Sequence, residues 1–281
     1  MAGTLYIVAT PIGNLADITL RAIETLKNVD LIAAEDTRVT RNLLSHYNIE
    51  TPMTPYHEHS LSRKLDEILQ KLRAGGDVAI VSDAGTPGIS DPGHELIVQA
   101  IENGVRVQSI PGPSAVITAL VVSGLPSYRF AFDGFPPRKP SDRRAFFCSL
   151  KDEARTMVFY ESPVRLLSTL KDMLAAFGDR RICVLREATK LFEETFRGTV
   201  ESAIRRFTEV SAKGEITIVL EGCAAESKPP SEGDIDSTLT SLLESGLSER
   251  DAAREAAALL SIPKKKVYQR MLELVKKHDG G

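Results

Sequence analysis

Short, nearly continuous apolar runs alternate with stretches of helical periodicity over residues 1–123. Strands that are buried on both faces of a parallel sheet are apolar throughout, so the runs predict parallel strands at residues 5–9, 29–34, 78–81 and 105–110. Apolar side chains at helical spacing predict helices between them, at residues 20–26, 40–47, 61–72 and 94–101. This alternation predicts an α/β domain with a mainly parallel sheet.

The alternation restarts after a Gly-Leu-Pro-Ser segment at residues 124–127, which is typical of a hinge. A second α/β domain is predicted over residues 124–222, with strands at 130–135, 157–160, 182–185, 196–199 and 216–220 and helices at 142–150, 164–177 and 200–207. Polar, Pro/Gly-rich residues 223–236 indicate a linker. Residues 237–281 have helical patterns only, at 237–245, 248–260 and 264–277, and the close spacing of the last two resembles a helix-turn-helix.

Composition and charge narrow the class of protein. The net charge of −3 over 281 residues argues against a protein that coats nucleic acid indiscriminately, although basic residues cluster locally. Three isolated cysteines, Cys148, Cys183 and Cys223, favour a reducing cytoplasm and show no metal-binding spacing. The apolar runs are too short to span a bilayer, and the first residues lack a basic signal-peptide region. We therefore expect a cytoplasmic protein without a membrane anchor.

A loop rich in glycine, proline and aspartate follows the apolar run at residues 78–81. This loop, residues 82–93, reads SDAGTPGISDPG and is longer than most strand-to-helix connections. Its glycines allow close backbone approach, its prolines keep it stiff, and Asp83 can accept hydrogen bonds from a ligand. Two similar loops, residues 10–14 and 111–115, also follow predicted strands. Because ligands bind at the carboxyl ends of parallel strands, we expect all three loops to share one ligand.

That ligand is not predicted to be a dinucleotide or a nucleoside triphosphate, because neither a G-x-G-x-x-G nor a G-x-x-x-x-G-K-[ST] motif occurs. Six segments instead resemble one family over nearly the full chain: LYIVATPIGNLADITLRA, AAEDTR, SDAGTPGISDPG, IPGPSA, FYESPVR and REATKLFEE. They are similar to the bacterial ribosomal RNA small-subunit methyltransferase I family. That family belongs to the tetrapyrrole methylase superfamily and methylates the ribose 2′-hydroxyl of a cytidine in 16S rRNA.

The resemblance implies two α/β domains of the tetrapyrrole methylase (class III methyltransferase) type, with S-adenosylmethionine bound in a cleft between them, and a homodimer. Carried onto matching positions, it places the donor against Pro11, Asp83, Gly85, Thr86, Ile89, Ser114, Ala115, Tyr160, Arg186, Glu187, Glu215 and Ile216. Many tetrapyrrole-modifying relatives carry Gly-Gly-Asp-Pro where this chain has Ala-Gly-Thr-Pro. Side-chain contacts at Thr86 are therefore expected to differ from those of these relatives.

A ribose hydroxyl is a weak nucleophile, so a general base or a hydrogen-bond acceptor would assist its methylation. Asp36, Arg38, Glu58 and Glu161 are the catalytic candidates. Asp36 has an alternative role as the cap of a following helix. His57 and His59 flank Glu58 and raise the alternative of a metal, but they lack a third ligand at suitable spacing, so we expect no metal.

Basic residues in two segments are candidates for contact with 16S rRNA in the small ribosomal subunit. Stiff cationic loops suit phosphates, and a helix with cations and an aromatic ring suits phosphates and exposed bases. The residues are Arg138, Lys139, Arg143 and Arg144 in the first segment and Lys264, Lys265, Lys266, Tyr268 and Arg270 in the second. A solvated loop and a dimer-packing helix are the alternatives. Two rival functions stay open: a tetrapyrrole or other small-molecule methyltransferase, and a nucleic-acid-binding regulator that senses a ligand.

Overall fold

The computed structural model describes residues 2–56, 61–223, 231–260 and 262–278. Its first sheet has five parallel strands in the order β3-β2-β4-β1-β5. The strands are β1 (Thr4–Val8), β2 (Leu31–Ala34), β3 (Met53–Pro55), β4 (Val78–Val81) and β5 (Arg106–Ile110), and the helices are α1 (Leu20–Asn28), α2 (Thr37–His46), α3 (Leu61–Arg73), α4 (His94–Glu102) and α5 (Ala115–Ser123). The predicted parallel α/β layer is confirmed.

Strand β3 and helix α5 were not among the predicted elements. Strand β3 lies at the edge of the sheet, where it pairs with β2 alone, and its three residues are half-buried or exposed, so no apolar run marks it. Helix α5 is apolar nearly all round, so it has no amphipathic period. Its Val116, Ala119 and Leu120 pack against residues of the second sheet, among them Val158 and Val219.

The second sheet is mixed, in the order β6-β7-β10-β8-β9, with a parallel β6–β7 pair and antiparallel pairs elsewhere. Its strands are β6 (Phe130–Phe132), β7 (Thr156–Glu161), β8 (Arg181–Arg186), β9 (Glu194–Thr199) and β10 (Ile216–Leu220), with helices α6 (Pro140–Ser149), α7 (Leu166–Phe177) and α8 (Val200–Glu209). A buried aromatic group of Phe147, Phe159 and Phe177 anchors α6 and α7 to the sheet. Both sheets belong to one compact unit, Met1–Cys223.

A second compact unit, Ala224–Gly281, is helical throughout its described part. It contains α9 (Glu232–Glu244), α10 (Glu249–Leu259) and α11 (Lys264–His278) around a small core that includes Leu239, Ala256 and Val267. Helix α9 begins five residues before the predicted start. Ser231 and Asp234 form a capping box at its N-terminus, so part of the predicted linker is helix.

No helix in the described part of the chain is both long enough and apolar enough to cross a membrane.

Candidate active site

The three glycine- and proline-rich loops meet at the carboxyl ends of β1, β4 and β5, as predicted. Thr10 and Gly85 exchange backbone hydrogen bonds, with N···O distances of 2.8 and 3.1 Å, and the Thr10 hydroxyl donates to the Ser82 carbonyl at 3.1 Å. A Cβ atom at Gly112 would lie 3.0 Å from the Ala9 Cβ, so the third loop approaches the first closely. These contacts join the three loops into one wall.

A cavity of 380 Å³ opens between this wall and the carboxyl-terminal edge of β7 together with the start of β10. Volumes of this order suit a small-molecule ligand. Eight of the twelve predicted donor contacts line it: Gly85, Thr86, Ile89, Ser114, Ala115, Tyr160, Glu215 and Ile216. Ser114 caps α5, so the N-terminus of that helix faces the cavity. Pro11, Asp83, Arg186 and Glu187 lie outside the lining.

Several lining residues were not predicted. Ile12, Phe135 and Pro163 add apolar surface, and Asp91 adds a carboxylate. Asp91 belongs to the same SDAGTPGISDPG motif as the predicted contacts, so the motif could have indicated it. Phe135 lies in the segment predicted as the last part of a strand, but β6 ends at Phe132 and Phe135 packs against the Tyr160 ring at 5.4 Å between centroids.

Carboxylates from the ends of β2 and β4 interlock beside the loop wall. The Asp83 carboxylate accepts from the Asp36 backbone N–H at 3.1 Å, and the Asp83 N–H donates to Glu35 Oε2 at 3.2 Å. Burial raises the pKa of Asp83 above its usual range. Asp83 thus organises the turn after β4 through backbone contacts.

Asp36 caps α2 by accepting from the Arg38 N–H at 2.8 Å. Its carboxylate also pairs with the Arg38 guanidinium at 2.6 Å, and these hydrogen bonds lower the pKa of Asp36 to about 2. The Arg38 side chain is 87% exposed. Neither residue lines the cavity, and the capping alternative describes what Asp36 does in the structure.

Glu161 does line the cavity, but its carboxylate is fully buried and engaged. Oε1 pairs with Arg165 at 2.6 Å and accepts from the Ser162 N–H, and Oε2 accepts from the Thr169 hydroxyl at 2.5 Å. Arg165 also donates to the Pro136 carbonyl at 3.1 Å. Glu161 therefore fixes the loop after β7 and, through Arg165, the start of the basic loop.

The wall from the second sheet is held by two ion-pair groups. Lys190 bridges Glu187 at 2.9 Å and Glu215 at 3.2 Å, and the Lys190 hydrogen bond lowers the pKa of Glu187. Arg186 pairs with Glu194 at 3.0 Å. A Cβ atom on Gly13 would clash with the Lys190 side chain at 2.4 Å, so this clamp packs directly on the first loop. Arg186 and Glu187 support the site without lining the cavity.

Asp91 and Tyr160 both line the cavity, and burial shifts the pKa of each. Burial, reinforced by the nearby Glu35 carboxylate, raises the pKa of Asp91 to about 6, and a hydrogen bond from Ser82 opposes this shift. Burial also raises the pKa of Tyr160 to about 12, with Asp91 and Glu215 acting in the same direction. Asp91 thus titrates closer to neutral pH than an exposed aspartate does, and Tyr160 is a neutral phenol at that pH.

The basic residues differ in availability. Arg138, Lys139 and Arg144 are exposed, whereas Arg143 is 3% exposed and its guanidinium pairs with Asp172 at 2.7 Å. In the helical module, Lys264, Lys265, Lys266 and Tyr268 are exposed on α11. Arg270 instead binds Asp236 at 2.6 Å together with Glu232 and Glu273. Arg143 and Arg270 therefore serve ion pairs within the fold.

His57, Glu58 and His59 lie outside the described residues. Within the described ranges, no three His, Cys, Asp or Glu side chains form a group that could hold a metal.

Comparison with known proteins places this geometry in a family. The model of Tetrapyrrole (Corrin/Porphyrin) Methylases matches residues 4–204, and that of the RsmI C-terminal HTH domain matches residues 229–275. A protein of Synechocystis sp. named ribosomal RNA small subunit methyltransferase I is 48% identical over 97% of this chain and 98% of its own length. A protein of the same name from Thermotoga maritima is 52% identical over 78% of this chain and 99% of its own length.

Solved structures show the same fold at low sequence identity. A uroporphyrin-III-C-methyltransferase from Thermus thermophilus superposes with a TM-score of 0.56 at 19% identity, covering 77% of this chain and 94% of that one. A cobalt precorrin-4 methyltransferase gives a TM-score of 0.60 at 18% identity, covering 78% and 94%. The predicted fold and family are confirmed. The chain is a member of the tetrapyrrole (corrin/porphyrin) methylase family and, within it, of the group named ribosomal RNA small subunit methyltransferase I.

Proposed function

We propose that this chain transfers the methyl group of S-adenosylmethionine to the ribose 2′-hydroxyl of a cytidine in 16S rRNA of the small ribosomal subunit. The observation that carries the proposal is a two-walled cavity, lined by eight of the twelve predicted donor contacts, in a chain that matches relatives named ribosomal RNA small subunit methyltransferase I along nearly its whole length. A ribosomal substrate implies action in the cytoplasm.

The cavity has the chemistry that this donor requires. Ile12, Ile89, Phe135 and Ile216 offer apolar surface for an adenine ring. The free N–H groups at the start of α5, beside Ser114 and Ala115, suit a carboxylate such as that of the methionyl part. Thr86 and Tyr160 add hydroxyl groups. When bound, the donor supplies an electrophilic methyl group on a positively charged sulfur.

The chain itself contributes positioning and exclusion of water. Displacement at a methyl carbon needs the acceptor oxygen, the carbon and the sulfur in line, and holding that alignment supplies most of the rate enhancement available here. The Thr10–Gly85 bridge and the Lys190 clamp hold the two walls, while Glu161 fixes the loop after β7. A rigid cavity of this kind keeps the reacting groups aligned and limits hydrolysis of the donor.

We assign RNA contact to the exposed basic residues: Arg138, Lys139 and Arg144 in the loop before and within α6, and Lys264, Lys265, Lys266 and Tyr268 on α11. Cationic side chains bind phosphates, and an exposed tyrosine ring can stack on an unpaired base. Arg143 and Arg270 are left out because their charges are neutralised within the fold.

The homodimer also stays a proposal. Exposed apolar side chains favour it: Ile117 and Val121 lie one turn apart on α5 and are 48% and 68% exposed, and Tyr128 follows at 87%. Light scattering on V121E and the unmodified chain tests this. A dimer that V121E converts to a monomer supports the assignment, and a monomer in both contradicts it.

Methyl transfer is tested with donor carrying a labelled methyl group and small subunits from cells that lack the modification. We expect label in 16S rRNA at one cytidine, in a dinucleotide that resists alkaline hydrolysis, because a 2′-O-methyl group blocks attack of that oxygen on the neighbouring phosphate. Label in a base, or no label in the RNA, contradicts the proposal. Label in an added tetrapyrrole precursor, retained after removal of residues 231–281, supports the small-molecule alternative instead.

A further inference from the structure

Three carboxylates line the cavity, and they differ in what engages them. Glu161 pairs with Arg165 at 2.6 Å, and Glu215 pairs with Lys190 at 3.2 Å. Among the described residues, no lysine or arginine forms an ion pair with Asp91. Asp91 is therefore the one carboxylate of this cavity lining that no described lysine or arginine pairs with.

The loop is built to hold Asp91 at that position. Ser90 adopts a left-handed backbone conformation with φ of 60°, which a serine rarely does, and Gly88 and Gly93 on either side also have positive φ. The Ser90 hydroxyl lies 3.3 Å from where a Cβ atom on Gly134 would stand. Gly134 in turn accepts from the Tyr160 N–H at 2.9 Å. The turn after β6 thus lies close beside Ser90, the residue before Asp91, and is hydrogen-bonded to Tyr160.

The groups that face Asp91 come from three strand ends. Glu35 follows β2, Ser82 and Asp83 follow β4, and Tyr160 lies on β7. Two of them are carboxylates, which favour uptake of a proton by Asp91, whereas the Ser82 hydroxyl acts on the pKa in the opposite direction. This surrounding gives Asp91 a higher proton affinity than an exposed aspartate has. Burial and Glu35 together bring its pKa to about 6, the range in which a carboxylate works as a base at neutral pH.

We propose that Asp91 is the catalytic residue that accepts the proton of the attacking ribose hydroxyl, an assignment that rests on the function proposed above. The hydroxyl oxygen forms a bond to the methyl carbon, and the carbon–sulfur bond breaks with its electron pair left on sulfur. The hydroxyl proton passes to an Asp91 oxygen, which later releases it to water. Charge balances, since a cationic sulfonium and a carboxylate become a neutral thioether and a carboxylic acid.

The test compares the full-length chain with D91N and D91E, and with D133N as the matched control. Asp133 is a second aspartate whose pKa burial raises, and it lies outside the cavity lining. Single-turnover methyl transfer to small subunits is measured from pH 5 to 9, and affinities for S-adenosylmethionine and S-adenosylhomocysteine are measured by calorimetry. A general base typically increases the reaction rate by about 10²- to 10⁴-fold.

We expect the unmodified chain and D133N to lose rate tenfold per pH unit below about 6. D91N should transfer methyl groups at least 100-fold more slowly at pH 8, and its rate should not fall further below pH 6. Its affinities for S-adenosylmethionine and S-adenosylhomocysteine should be unchanged. D91E should recover part of the rate. A D91N rate within threefold of the unmodified chain overturns the proposal. So does a D91N affinity loss for the sulfonium donor alone, which would make Asp91 a charge contact.

If D91N does not fold, the unmodified chain still decides, because a rate that is flat from pH 5 to 7 contradicts the assignment. Failure of the proposed function is distinguishable, since the unmodified chain would then transfer no methyl group to the RNA.

Discussion

Two aspartates beside the same cavity wall occupy opposite electrostatic environments. Asp36 has its carboxylate bound by Arg38, which brings its pKa to about 2, and Asp91 is half-buried near two other carboxylates, which brings its pKa to about 6. The first stays ionised at any pH at which the protein would be assayed. A pH dependence of activity near neutrality is therefore expected from Asp91 and not from Asp36.

The same environment should make the ionised Asp91 carboxylate destabilise the folded state. Its pKa is higher in the folded chain than in the unfolded one, so the folded state binds more protons between about pH 4 and 6 and loses stability as the pH rises through that window. Two pKa units correspond to about 2.7 kcal/mol, and solvent screening of a partly exposed group reduces this to about 1–2 kcal/mol.

We therefore expect D91N to increase the free energy of unfolding by about 1–2 kcal/mol at pH 8 and to have little effect at pH 4. Urea unfolding at the two pH values measures the difference. D133N is measured alongside, because it removes another aspartate whose pKa is raised by burial but which lies outside the cavity lining. A D91N variant that is less stable than the unmodified chain at pH 8 would show that its charge is stabilised by the fold.

Arg143 and Arg144 are neighbours with different expected roles. The Arg143 side chain is 4% exposed and paired with Asp172, and removal of one partner of a buried ion pair costs about 3–5 kcal/mol. The Arg144 side chain is 56% exposed, and its distance of 3.9 Å from the same carboxylate is long for an ion pair. We expect R143A to lower the free energy of unfolding by about 3 kcal/mol and R144A to change it by less than about 0.5 kcal/mol.

For RNA affinity we expect the reverse: R144A should have the larger effect and R143A the smaller. At a temperature where both variants are folded, R144A weakens binding to small subunits and R143A leaves it nearly unchanged; filter binding measures this. Equal losses of affinity in two folded variants would mean that Arg143 leaves its partner Asp172 to reach the RNA.

At the scale of elements, the start of helix α2 illustrates how a site residue can be a cap. Loss of an aspartate N-cap costs about 1 kcal/mol, and asparagine caps nearly as well. We expect D36A to lower the free energy of unfolding by about 1 kcal/mol and D36N by a few tenths, with methyl transfer changed less than tenfold in both. Thermal unfolding and the methyl-transfer assay measure these effects. A D36N variant that folds normally but transfers methyl groups 100-fold more slowly would restore Asp36 as a catalytic candidate.

The predictability of each element follows from its burial. Strand β4 is buried at all four residues and begins and ends as predicted, and so does β10. Strand β3 lacks a buried run, and α5 lacks a polar face because both of its sides meet other parts of the fold or carry exposed apolar residues. Hydrophobic periodicity arises when one face of an element is buried and the other is exposed to solvent. An element whose faces do not differ in this way has no periodic pattern.

The candidate site was predictable to the extent that it follows from loops at strand ends. Those loops predicted a shared ligand site, and the family resemblance assigned Gly85, Thr86 and Ser114 in the first wall and Tyr160 and Glu215 in the second. Sequence alone does not show which cations pair within the fold, so Arg143 and Arg270 counted as RNA contacts although both are neutralised. Pairing partners 29 and 34 residues away along the chain depend on tertiary structure.

At the scale of the whole molecule, the chain divides the proposed work between two compact units. All the described residues that line the cavity belong to Met1–Cys223. The Thermotoga maritima relative, covered over 99% of its length, leaves about a fifth of this chain without a counterpart. We therefore propose that the first unit binds the donor and performs the chemistry, and we expect the helical unit to add affinity for RNA.

That division predicts a purely electrostatic effect of the α11 lysines. Lys264 and Lys265 are exposed on the first turn of α11 and form no ion pair among the described residues, so K264A/K265A should remove two phosphate contacts without changing the fold. The slope of log affinity against log salt concentration should become shallower by about 0.7 for each contact with single-stranded RNA. Affinity for S-adenosylmethionine should stay unchanged. The matched control is K151A, an exposed lysine in the loop after α6, outside the proposed RNA contacts. Equal slopes for K264A/K265A and the unmodified chain would assign α11 to packing, not to RNA.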